Sequence, residues 1–120
     1  MTMTAPATPP PADGLDLPAT MRALVKHQAG EGLTLDVARS RPTVGPLDVL
    51  IRVKKAGICG TDRHIWQWDE WAAGRIPVGI VTGHEFAGVV TAVGEAVKTV
   101  HVGQRVSAEG HITAGLDYNS

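Results

Sequence analysis

Cysteine is nearly absent from this sequence: Cys59 is the one thiol among 120 residues. That excludes a disulfide framework within the chain. A lone thiol suits a reducing compartment, where it can serve as a ligand or a nucleophile. Aromatic side chains are also scarce, at 4%. Neither sign of charge dominates, since 11 lysines and arginines stand against 12 aspartates and glutamates for a formal net charge of −1. Such a balance leaves no basic footprint for nucleic acid or for an anionic membrane surface. No uncharged run approaches the roughly 18 residues that cross a bilayer. The N-terminus has neither the basic start nor the apolar stretch of a signal peptide. The expectation is a soluble cytoplasmic protein with no nucleic-acid and no membrane partner.

What is present points to β-structure. Hydrophobic residues make up 43% and charged residues 19%, a globular balance, and the length suits one domain. Valine and glycine, fourteen of each, favour short pleated strands broken by bends. Residues 1–20 hold five of the eight prolines and no lysine or arginine, and they read as a disordered tail. The ordered domain is expected over 21–120. Strands are expected over 22–27 and 33–37 around a turn at 29–32, and again from Val49, where apolar residues alternate through Ile51 and Val53. Thr61 is placed to cap a short helix over 62–66. The tryptophan-rich stretch 65–71 reads as a loop with buried anchors. Short glycine-bounded strands follow over 78–82, 85–93 and 105–108. Many short strands without alternating long helices predict a mainly β fold, a barrel or sandwich. No Gly-x-Gly-x-x-Gly turn occurs, so no dinucleotide-binding unit is expected within these residues.

Three residues carry metal chemistry. Cys59, His84 and Glu85 are a thiol, an imidazole and a carboxylate, all good zinc ligands. Cys59 and His84 stand 25 residues apart, unlike the tight pairs of structural zinc sites and like catalytic ones, which keep a position for substrate. Plainer readings exist: a lone cysteine is commonly buried and inert, and a His-Glu pair commonly lies at a surface. Residue type and spacing leave both open. Asp62 could accept the second N–H of a ligating histidine. Thr61 and His64 offer a hydroxyl and an imidazole that can pass a proton outward; they read equally as a helix cap and an exposed side chain.

The segment Cys59-Gly60-Thr61-Asp62 with His64 resembles the zinc-ligand segment of the medium-chain zinc alcohol dehydrogenases. Gly83-His84-Glu85-x-x-Gly88, followed by Gly94 and Val97, is similar to that family's zinc signature, and 102–106 to the strand after it. Residues 64–71 and 109–112 resemble its L-threonine 3-dehydrogenase branch. The resemblance covers about 21–113. It implies a partly open GroES-like β-barrel with short helices, followed in a longer, homotetrameric parent by a Rossmann domain. It also implies Cys59 and His84 as ligands of catalytic Zn²⁺, with Glu85 as a third ligand or a partner of the ligands. Thr61 and His64 would be the proton relay, and Asp62 would orient the site. The implied reaction is hydride transfer from an alcohol to NAD⁺, for this branch from the secondary alcohol of L-threonine to give 2-amino-3-oxobutanoate. His111 has two readings, contact with the substrate pocket or a structural role.

The resemblance breaks at the branch's second, structural zinc. Its first three cysteine positions read Ala114, Asp117 and Ser120 here, so no structural zinc is expected. Because nothing in 1–120 is expected to hold a nicotinamide, these residues alone are expected to be catalytically silent. The alternatives are another polyol or alcohol dehydrogenase of the family and a non-catalytic GroES-like binding module.

Overall fold

The computed structural model describes residues 2–4, 14–108 and 110. It contains two three-stranded sheets and two short helices. The first sheet pairs β2 (Thr20–Val25) antiparallel with β3 (Thr34–Ser40), and β1 (Thr2–Thr4) adds to β3 in parallel. Thus the segment expected as a tail contributes a three-residue strand. The rest of residues 1–13, together with Ala114, Asp117, Ser120 and His111, lies outside the described residues. The second sheet runs β4 (Val49–Ala56), β5 (Phe86–Val93) and β6 (Arg105–Ser107), antiparallel throughout. Its sheets do not close on one another, which is the partly open GroES-like architecture with short helices.

Strand alternation decides what is buried. In β5 the inward positions are Gly88, Val90 and Ala92, and in β2 they are Ala23 and Val25, as period-two pleating requires. The buried apolar set is completed by Ile65 and Ala72 from the helices. These are small side chains, and an opening of about 650 Å³ remains between the two sheets, bordered by Met21, Leu35, Leu50 and Ile51 among others. Val53, on the same strand as Leu50, stays 54% exposed.

Two glycines let the second sheet form. A Cβ on Gly88 would overlap the Arg52 carbonyl of the neighbouring strand, and one on Gly94 would overlap the carbonyls of Gly45 and Pro46. At both places another backbone takes the room of a side chain.

The structure corrects four expectations. Helix α1 spans Gly60–Gln67, and its N-cap is Cys59 rather than Thr61. The reason is Asp62 at the third helical position, whose carboxylate accepts from the Cys59 N–H at 3.0 Å, the return half of a capping box. The tryptophan stretch is no plain loop, because Asp69 caps a second helix, α2, over Glu70–Arg75. Nor are its tryptophans all buried: Trp66 is 44% exposed and Trp71 39%. Finally, residues 78–82 form no full strand; Val81 makes a single bridge to Val25.

Candidate metal centre and its proton outlet

The register of β4 against β5 builds the centre. Ala56 pairs with Phe86, so the chain leaving β4 and the chain entering β5 run side by side. The Gly57 N–H donates to the Glu85 carbonyl at 2.7 Å, continuing that pairing one step beyond the strands. Two residues further, Cys59 turns into α1, and its sulfur stands 3.2 Å from His84 Nε2. Residues distant in sequence become neighbours because antiparallel pairing folds the intervening helices out as one excursion. The segment that leads to His84 is held too. Residues 79–82 lie along β2, with Lys26 N–H donating to Ile80, Gly79 N–H to Lys26, and Thr82 N–H to Leu24.

Asp62 completes the cluster. One carboxylate oxygen caps Cys59; the other, Oδ1, is buried without a hydrogen-bond partner. Ligand atoms of Cys59, Asp62 and His84 all lie within 4.8 Å of one another, the one such group of three among the described residues. A buried polar atom without a partner is rare in a folded chain. The Asp62 carboxylate, a thiol and an imidazole together make a donor set that fits Zn²⁺. The sulfur also sits at the first turn of α1, where free N–H groups favour negative charge.

Of the other expected residues, Glu85 is exposed and stands outside this group of three. Its carboxylate instead packs at Gly57, where an added Cβ would come to 2.9 Å of Glu85 Oε2. Thr61 is half-buried on the first turn of α1, and His64 follows three residues later. That spacing puts them on one helix face, and the His64 side chain is 53% exposed. Hydroxyl and imidazole thus run from the half-buried start of α1 toward solvent.

Sequence reasoning missed two residues. Asp69 accepts from His64 Nδ1 through Oδ2, while its Oδ1 accepts from the Ala72 N–H at 3.0 Å. The Ala72 N–H first, and then the His64 ring, holds the Asp69 carboxyl below the usual carboxylate range. A cue existed, since aspartate ahead of a Glu-Trp-Ala-Ala run is an N-cap pattern. The second is Lys26, wholly buried. Its Nζ donates to the carbonyls of Gly30 and Gly32, each at 2.6 Å, and lies 4.8 Å from the centre of the Trp68 ring. Burial lowers its pKa, against the charge of Glu31. Trp68 needs such support, because it ends α1 in the left-handed region at φ 56°, which is costly for a bulky residue.

Comparison with known proteins places the chain in a family. The L-threonine 3-dehydrogenase of Chelativorans sp. (strain BNC1) is 58% identical over 95 residues, covering 79% of this chain and 27% of that protein. This chain therefore spans about a quarter of that relative's length. Among solved structures, an alcohol dehydrogenase from Thermus sp. ATN1 superposes with a TM-score of 0.66 at 39% identity, over 82% of this chain and 27% of that one. An alcohol dehydrogenase from E. coli CFT073, complexed with NADH, gives 0.66 at 36% identity, over 82% and 27%. The model of the alcohol dehydrogenase GroES-like domain matches residues 45–117, the stretch that holds β4, β5, β6 and the Cys59–His84 corner between them. With more than half its length matched and the paired strands in place, the chain belongs to the alcohol dehydrogenase GroES-like domain family.

Proposed function

We propose that this chain supplies the catalytic-zinc corner of an NAD-dependent alcohol dehydrogenase that oxidises the secondary alcohol of L-threonine to 2-amino-3-oxobutanoate. The observation that carries the reading is the Cys59 sulfur 3.2 Å from His84 Nε2 beside the buried, partnerless Oδ1 of Asp62. Cys59 and His84 would hold the metal, Asp62 would orient the site, and Glu85 would be a third ligand or a partner of the ligands. Zinc held there would supply Lewis acidity toward the alcohol oxygen, and NAD⁺ would supply the oxidising power. The chain's own part in the chemistry is to remove the alcohol proton. Thr61 Oγ takes it while passing its own hydroxyl proton to His64, which, half in solvent, releases a proton to water. Support for L-threonine as substrate is the 58% identity to the Chelativorans enzyme, and support for NAD is the NADH held by the E. coli neighbour.

Metal analysis of the purified chain beside Cys59→Ser tests the reading. One equivalent of zinc that disappears on substitution supports it. Zinc-free protein in both samples, after exposure to zinc, sinks it. The isolated 120 residues are proposed to be silent toward NAD⁺ and L-threonine, and reduction above a metal-only blank would remove that part alone.

A further inference from the structure

We infer that Asp69 is a positioning residue for His64: it fixes the imidazole in the Nδ1–H tautomer and leaves Nε2 as the basic nitrogen of the relay. The inference deepens the proposed function and rests on its assignment of His64 as the proton outlet.

The argument begins with donor and acceptor inventory. An ionised carboxylate only accepts hydrogen bonds, so the nitrogen that meets Asp69 Oδ2 must carry the hydrogen. That nitrogen is Nδ1. In the neutral ring Nε2 is then the acceptor, the state needed to take a proton from Thr61. Such pairing through the opposite ring nitrogen is how a histidine base is oriented in general.

An exposed His-Asp pair would ordinarily do little, because two mobile side chains must be immobilised. Asp69 is not mobile. Its other oxygen is committed to the Ala72 N–H as the N-cap of α2. The first turn of that helix presents Trp71, whose ring centre lies 5.8 Å from that of His64 at a 56° tilt. The Trp68 N–H closes the turn by donating to the His64 carbonyl at 2.9 Å. Backbone, ring wall and carboxylate all come from residues 68–72. The short helix after α1 thus works as a bracket around one imidazole.

The test is a long-range ¹H–¹⁵N correlation on the metal-free 120-residue chain, at about pH 8, where histidine is ordinarily neutral. Wild type is compared with Asp69→Asn and Asp69→Ser. Both replacements keep an oxygen for the α2 cap, yet neither offers His64 an anion. Wild-type His64 should show protonated Nδ1 and unprotonated Nε2; in both variants Nε2 should move into the protonated range. Wild type already in the Nε2–H form overturns the inference, whether or not a variant folds. So does retention of Nδ1–H in both variants.

Zinc titration of the same samples separates this from the underlying reading. A wild type that binds no zinc overturns the dehydrogenase reading and leaves the tautomer result standing. Wild-type binding that Asp69→Asn abolishes overturns the positioning role, because Asp69 would then act at the metal.

Discussion

Cys59 and His84 meet because Ala56 pairs with Phe86: two side chains become neighbours through the register of the strands that lead to them. Any change that shifts the register therefore moves the metal corner with it. Gly88→Ala is the sharpest such change, since the added methyl group would meet the Arg52 carbonyl and the Ile51 side chain. The expected cost is about 1–3 kcal/mol of overpacking, read as a lower urea midpoint. Zinc affinity should fall with it.

Asp62 has two tasks, one for each oxygen. Asp62→Asn keeps an acceptor for the Cys59 N–H but removes the charge that faces the ligands. Zinc affinity should weaken about 10–100-fold, the usual penalty for losing a partner of metal ligands, with little change in the urea midpoint. Asp62→Ala also loses the cap and should cost about 1 kcal/mol of stability. Competition with a chromophoric chelator reads the first effect and urea unfolding the second.

Acid should act at Asp69. Its folded-state pKa is depressed, so it binds its proton less readily in the folded chain than in the unfolded one. Its contribution is therefore complete above the ordinary aspartate value of about 4 and is lost as pH falls through the lower folded value. In Asp69→Asn that part of the acid-side decline should be missing. Urea midpoints at several pH values below about 5 check the difference.

Lys26 stabilises the β2–β3 connection from within. Lys26→Met retains the stem but leaves the carbonyls of Gly30 and Gly32 without their donor. The expected loss is about 1–2 kcal/mol for half-buried acceptors left unpaired. Trp68 fluorescence, among three tryptophans, should change as well, since its ring loses the ammonium lying over it.

Much of this molecule was legible from residue pattern. Valine alternation at Val49, Ile51 and Val53 announces β4, and glycines mark where β5 begins and ends. The wide spacing of Cys59 and His84 is the pattern of an open metal site, and the register brings the two side chains together. Thr61, a good capping residue in isolation, places the helix start two residues too late. The deciding bond runs instead from Asp62 back to Cys59, so the competition lies between two local options that sequence alone ranks by propensity. The α2 helix was hidden among tryptophans, which look like anchors until Asp69 is seen to cap the run after them. Lys26 gave no signal at all. A lysine in a strand is ordinarily a surface residue, and only the approach of residues 30–32 and Trp68 from different parts of the chain closes it in.

The enclosure of Lys26 makes it a built-in gauge of folding. Lys54, Lys55 and Lys98 are exposed, whereas Lys26 shows no accessible surface. An amine-directed acylating reagent should modify those three side chains in the native protein and pass over the fourth. Acylation of Lys26 would then timestamp each opening of the molecule, letting a mass spectrometer count unfolding events at a residue far in sequence from the chemistry.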